Sequence, residues 1–551
     1  MSSLDTPISD SAIPDAGNRR DTSTWARWDE WMESVGERLN PILVKEARQA
    51  LKSRQFGMTF SLLLIFVWGW SLLGVSYKMP HIYYSAQGSY MLAGYAVLLG
   101  VPLLLVVPFN AFRSLANERE DGTFELVTIS TLTSRQIITG KLGSAVLQML
   151  IYFSATSPCM AFTYMLRGVD MIAILMLLYF ACLSCVLLSC AALMLATVTR
   201  SQQWNILISV VVLGGLFMAT AAWCAICMND IRRGVSLADE LRDLDFWLWH
   251  LSILTMAICL GVFFITAAAA QISFESDNRS TKLRIVIFVS QVLMTGWFTY
   301  FCFQSSDRVM LIYYAVTTGG LWFVFGALMV GERASLSPRV KRSLPQTFFG
   351  RMFLTWFNPG AGTGYVFATS NVFVSMFVAM AIFRALRTGN DYGFGLLVLM
   401  IYLYVVFYLG IGRIIMLVTN KYVNAGLALP FLVHALLSVI GIVIPLAIQN
   451  WWFGAADARL YSTVQFLNWA WTIQTANRGE LEGFLLVPVI MGVLAFVIYQ
   501  LNLLLTSIEV KSVRMATPER VVADDRELHP ERFVEPKRRS SPWDDEEESS
   551  G

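Results

Sequence analysis

The chain has 551 residues, of which 56% are apolar and only 15% charged, and its mean hydropathy is +0.56. Soluble domains carry nearer ~25% charged residues, so a soluble enzyme or binding module is excluded as the bulk of the chain. A net charge of +2 supplies no concentrated basic face for nucleic acid, and eight Cys, all inside apolar runs, make no disulfide framework.

Residues 1–24, rich in Ser, Asp, Pro and Arg, read as a disordered cytoplasmic tail that cannot bury enough apolar surface to fold alone. Residues 25–56 read as an interfacial amphipathic segment. Trp25, Trp28 and Trp31 recur at i, i+3 and i+6, and Asn40-Pro41 then opens a helix with Asn at the cap and Pro at the first position. At ~100° per residue Lys45, Arg48 and Lys52 share one side, with Leu43, Ala47, Ala50 and Leu51 on the other. Such a helix is expected to lie flat on the cytoplasmic leaflet, apolar side down and basic side toward phosphates.

Twelve apolar runs long enough to span follow: 57–77, 88–111, 142–165, 171–198, 203–228, 248–271, 285–303, 309–331, 366–383, 393–412, 427–449 and 484–506. The polar leader has no apolar segment of the signal-peptide kind, which keeps the N-terminus cytoplasmic and, after twelve crossings, the C-terminus too. That orientation puts 31 Lys and Arg inside and 10 outside, as positive charge prefers. None of the runs contains Asp, Glu, Lys or Arg; His250 and His434 are their only ionisable groups besides Cys and Tyr. Ion-coupled carriers usually place a titratable group at depth, so any driving energy is expected from outside the membrane. The pairs Cys182/Cys185 and Cys224/Cys227 have no His beside them and read as small hydrophobes, so no metal or other cofactor is expected.

The loops repeat. In each set of six runs the second loop is the long cytoplasmic one and the fifth the long external one, which suggests parallel tandem halves. The expected fold is therefore all-α and polytopic, with six-helix units over 57–271 and 272–511. A disordered acidic tail, 512–551, ends in Asp544-Asp545-Glu546-Glu547-Glu548.

The richest polar segment is the loop 112–141. Asp121-Gly122 marks a turn, and Thr123-Phe124-Glu125-Leu126-Val127 a short helix with an acid near its start. Thr133-Ser134-Arg135-Gln136 fits a capping box that opens a helix running into the third span. Gly140-Lys141 is not a phosphate-binding loop: Leu142 follows it and Arg135 stands where the first Gly is needed. No nucleophile, metal cluster or carboxylate pair stands out in the polar loops, so catalysis in this chain is not expected.

Asn40-Pro41-x-x-x-Lys45-Glu46 ahead of the first span, then Glu118-Arg119-Glu120-x-Gly122-Thr123-x-Glu125-Leu126 and Gly140-Lys141-Leu142 after the second, resemble the permeases of ATP-binding-cassette transporters of the type 2 exporter class. The resemblance covers roughly residues 40–271. It implies that Asn40, Pro41, Lys45, Glu46, Arg48 and Lys52 belong to a connecting helix along the membrane. It also implies that Glu118, Arg119, Gly122, Thr123, Glu125, Gly140 and Lys141 belong to the segment that docks a separate ATPase chain. The family places short re-entrant helices in the fifth loop, where Trp451, Trp452, Trp469 and Trp471 lie. Two departures stand out. Many relatives have a Pro where this chain reads Ser130-Thr131-Leu132-Thr133. The second half keeps Glu332-Arg333 but continues Ala334-Ser335-Leu336-Ser337-Pro338-Arg339, so it is not expected to couple in the same way.

The expected function is thus the permease subunit of an ATP-driven exporter in a bacterial plasma (inner) membrane. Its partners would be the ATPase, the bilayer, and either a second copy or a second permease. The alternatives are a secondary transporter driven by an ion gradient and a non-transporting scaffold. Apolar, aromatic and small residues in the spans would suit a lipid, peptide, drug or lipid-linked sugar.

Overall fold

The computed structural model describes residues 40–120, 132–198, 202–231, 240–274, 277–305, 308–332, 354–386, 391–420, 422, 428–457, 460–514 and 519–530. Regular structure among them is entirely helical, and twelve helices are long and apolar enough to cross a membrane. The protein is a multi-pass membrane protein. It divides at Ile272/Ser273 into two compact units with six of these helices each.

Unit one begins with the short helix α1 (Pro41–Lys52) and continues through six spans: α2 (Arg54–Lys78), α3 (Gly88–Glu120), α4 (Ser134–Met165), α5 (Met171–Ala196), α6 (Gln202–Asn229) and α7 (Leu244–Ile272). The central one is α3, whose Met91, Leu92, Tyr95, Leu99, Leu103, Val107, Phe112 and Leu115 are all buried. Of its most apolar stretch 67% lies buried, the largest share of any span in unit one, whereas its end carries Arg113, Glu118, Arg119 and Glu120. Pro102 has no N–H for the ladder, and α3 absorbs the gap with a π-helical turn over Pro102–Val106 instead of breaking.

Unit two has α8 (Ser280–Ser305), α9 (Arg308–Val330), α10 (Ala361–Leu386), α11 (Asp391–Thr419), α12 (Ala428–Asp457), the short α13 (Trp469–Asn477), and the last span α14 (Leu486–Arg514). Here α11 is the central helix, with Phe394, Leu397, Met400 and Leu409 fully buried.

The same pairs of spans pack in both units. In each, the first span meets the second and third, and the second meets the third, fourth and fifth. The third also meets the fourth and sixth, and the fourth meets the fifth and sixth. Two chains of six helices with one shared set of neighbours are tandem repeats in packing, although little sequence is shared.

Several expectations change. Most spans are longer than the apolar runs, and the ends of several carry charge: Lys141 lies in α4, Arg284 in α8, Arg413 in α11 and Glu509 in α14. The three cations among them are buried, so charges do not simply avoid the packed helices. The run 366–383 is the middle of a full span, Ala361–Leu386. His434 is buried, with its Nδ1 bonded to the Pro430 carbonyl of its own helix at 2.7 Å. A ten-residue helix, α15 (Glu519–Leu528), stands in the tail expected to lack structure. Residues 1–39, with Trp25, Trp28 and Trp31, and 531–551, with the acidic run, lie outside the described residues.

Candidate functional site

At the end of unit one where α1 lies, here called basal, four charges meet. Lys141 Nζ stands 2.9 Å from Glu46 Oε1 and 2.9 Å from Glu118 Oε2, and Lys45 Nζ is 3.4 Å from Glu118 Oε1. The Lys141 side chain is 1% exposed, and its ammonium also faces the Ser114 carbonyl and hydroxyl at 3.4 Å. Among the described residues two lysines stand against two glutamates, a balance that lets an ammonium be withdrawn from water with its donors satisfied. Removing one partner from such a buried pair typically costs about 3–5 kcal/mol, because the remaining charge stays buried and unpaired.

Local sequence brings these residues together. Asn40 caps α1 by accepting the Ile42 N–H at 3.0 Å, and its Nδ2 donates to the Gln136 carbonyl at 2.5 Å, fixing the start of α1 against the start of α4. The Thr133–Gln136 capping box is present: the Thr133 side chain accepts from Gln136 N–H and the Gln136 side chain accepts from Thr133 N–H. Gly140 lets the helices close: a Cβ there would lie 2.9 Å from Ile42 Cβ. One turn beyond Ile42 comes Glu46, and one residue beyond Gly140 comes Lys141, so this contact sets the ion pair.

Part of the apolar side of α1 is covered by protein: Ile42 and Leu43 rest on α4, at Gly140 and Gly143, and Glu46 beside them is buried, while Leu51 stays exposed. The opposite side lines an open recess with Pro41, Val44, Lys45, Arg48, Gln49 and Lys52.

Of the residues singled out in sequence, Asn40, Lys45, Glu46, Glu118, Gly140 and Lys141 converge, while Pro41 opens α1 on the recess side. Arg119 joins them to a fourth element by donating to the Thr197 carbonyl, just past α5, at 2.9 Å. Arg48 and Lys52 are exposed on the recess, away from the cluster. Gly122, Thr123 and Glu125 lie outside the described residues.

Sequence reasoning missed two buried arginines in unit two. Arg284 Nη2 pairs with Glu332 Oε2 at 2.6 Å, and its Nη1 donates to the Trp356 and Asn358 carbonyls at 2.8 and 2.6 Å. Glu332 Oε2 also accepts the Gly360 N–H at 3.1 Å. Gly360 has φ +145°, a conformation that favours glycine and turns the chain into α10. Arg413 Nη2 pairs with Glu509 Oε2 at 2.9 Å, its Nη1 donates to Thr506 Oγ1 at 2.8 Å, and Glu509 accepts the Gly362 N–H at 3.0 Å. Two carboxylates therefore take backbone N–H groups at the start of α10, which a helix leaves without internal acceptors. Arg284 immediately precedes the run 285–303 and Arg413 immediately follows 393–412, so both read as flanking charges. Only folding shows them turned inward.

The fifth loop of unit two contains the short helices expected there, Thr463–Leu467, α13 and Glu480–Phe484. Their backbone is bonded into the unit: Tyr404 and Tyr408 of α11 donate to the Phe466 and Leu467 carbonyls at 2.7 and 2.6 Å. The fully buried Gln465 donates to Gln449 Oε1 at 2.6 Å and accepts from Asn468 at 2.9 Å. Irregular backbone held this way is tolerated at membrane depth because its polar groups find partners inside the protein. Trp451 and Trp452 are exposed, while Trp469 donates to the Ser438 carbonyl at 3.2 Å.

No family model, curated protein or solved structure with which the chain was compared matches it.

Proposed function

We propose that this protein is the membrane-spanning permease subunit of an ATP-driven exporter, worked by a separate ATPase chain that docks on the basal end of unit one. The observation that carries the reading is the ion cluster of Glu46, Glu118 and Lys141. It joins the residues that resemble the family's connecting helix to those that resemble the two arms of its coupling segment. A push on the segment between Glu120 and Thr133 would be delivered through this cluster to α1, α3 and α4 together, and through Arg119 to the end of α5. Such rigid-body displacement of one group of helices against the rest is how packed interfaces turn a local event into an opened path. The basal end is then cytosolic, in agreement with the excess of Lys and Arg on that side, and the membrane is the bacterial inner membrane.

The test is co-purification with a co-expressed candidate ATP-binding-cassette ATPase, and stimulation of its hydrolysis. Glu118 is unsuitable for substitution because it belongs to the cluster; Glu120 is exposed. Glu120→Lys combined with Glu125→Lys is expected to weaken association at least about tenfold, the effect of ~1.4 kcal/mol, with the melting temperature unchanged. Binding and stimulated hydrolysis that survive this double reversal would rule out docking at this segment.

A further inference from the structure

The exposed side of α2 marks the depth of the membrane. Its outward apolar residues run from Met58 through Leu62, Ile65, Phe66 and Leu73 to Tyr77. At ~1.5 Å per residue that stretch rises about 28 Å, which matches the ~30 Å hydrocarbon core of a bilayer. Arg54 opens α2 one helical turn before Met58, and α1 ends at Lys52, with only Ser53 between the two helices. The end of α1 therefore stands at the level of the phospholipid headgroups on the basal side.

At that level α1 gathers cations that the protein leaves largely unanswered. Lys45, Arg48 and Lys52 line one open recess of about 470 Å³ with Pro41, Val44 and Gln49, a size within the ~300–1,000 Å³ of small-molecule sites. Among the described residues no carboxylate lines it; Lys45 pairs with Glu118 at 3.4 Å and stays 59% exposed, and the side chains of Arg48 and Lys52 have no partner. The helix that carries them is fixed: Asn40, Ile42 and Leu43 hold it to α4, and Glu46 pairs with the buried Lys141. Cations on a fixed helix bind an anion without the cost of ordering their backbone. Setting the orientation of the chain requires only a count of Lys and Arg beside a span, whereas convergence on one recess is what holds a phosphate. Leu51, exposed beside Lys52, adds an apolar residue where headgroups meet acyl chains.

We propose that this recess binds the headgroup phosphate of one anionic phospholipid, with Arg48 and Lys52 as the principal donors and Lys45 shared between the lipid and Glu118. A zwitterionic headgroup brings an ammonium for which the recess has no carboxylate, so a lipid of net negative charge is preferred. The charge pattern of α1 alone implied general contact with phosphates; the recess gives that contact a single place. The site does not depend on the permease reading: a chain that takes the lipid but no ATPase loses that reading and keeps this one.

The experiment is native mass spectrometry of the full chain in detergent, titrated with phosphatidylglycerol or with phosphatidylcholine. Saturable binding of phosphatidylglycerol is expected, at least about tenfold tighter than that of phosphatidylcholine. Arg48→Gln combined with Lys52→Gln is expected to weaken it about thirtyfold, roughly fivefold to sixfold for each cation, with the melting temperature of the lipid-free protein unchanged. Arg135→Gln combined with Lys282→Gln removes the same charge from exposed positions outside the recess and is expected to bind as wild type does. Equal affinity for the two lipids overturns the proposal, as does a recess variant that binds phosphatidylglycerol like wild type, whether or not it still binds a co-expressed ATPase. Equal losses in the two double variants would mark a general effect of charge and overturn it too. Displacement of the lipid by millimolar inorganic phosphate would make the occupant a free phosphate and overturn the lipid assignment.

Discussion

Lys141 is the residue on which the basal end of unit one depends. Its ammonium is shared by two carboxylates from different elements, so Lys141→Met would leave Glu46 and Glu118 partly buried without the cation that pairs with both. The expected loss is about 3–5 kcal/mol, read as a lower melting temperature of the detergent-purified protein. Glu46→Gln removes one of the two acceptor charges and is expected to cost less. A Lys141→Met protein as stable as wild type would mean that the pairs are held by packing and contribute nothing of their own. The residues of this cluster were legible in the sequence as a family-like pattern, but their contacts were not. Nothing in the spacing of Glu46 and Lys141, 95 residues apart, shows that they touch. Arg284 and Arg413 were not legible, because a charge beside an apolar run looks the same whether it turns to water or inward.

Among the elements, α1 and α4 form the contact that sets this cluster, and they come close at Gly140 and Gly143. Gly140→Leu would drive a side chain into Ile42 and Asn40, at a cost of about 1–3 kcal/mol for overpacking. The expected outcome is separation of α1 from α4, seen as faster proteolysis near Ser53 with the spans themselves intact. Unchanged proteolysis would mean that the helices part without consequence. Starts of helices were the most legible features, since caps are local: Asn40-Pro41 and the Thr133–Gln136 box are both present. The resting place of α1 was not, because an amphipathic pattern specifies an apolar side without saying whether lipid or another helix covers it. Unit two's fifth-loop helices show the same limit. Their presence was expected from the resemblance, whereas their attachment through Tyr404, Tyr408 and Gln465 depends on residues distant in sequence.

For the whole molecule, hydropathy alone was enough to find twelve spans, because length and composition are local properties. The tandem organisation was visible only faintly in loop lengths; it is clear in packing, where both units use one set of neighbouring spans. The units can share a packing with little sequence in common because apolar positions accept many side chains, whereas the pairing of helices is constrained by the whole set of contacts at once. The functional account depends on a cytosolic ATPase reaching the chain between α3 and α4. The most direct measurement is site-specific photo-crosslinking from Asn117 and Glu120, both exposed at the end of α3, in cells that co-express a candidate ATP-binding-cassette ATPase. The account predicts an adduct with that ATPase from at least one of these positions, and its loss when the probe stands instead at Tyr84, which is 87% exposed at the opposite end of the first span. Adducts to that ATPase from neither basal position, with the chain folded in the membrane, would contradict it.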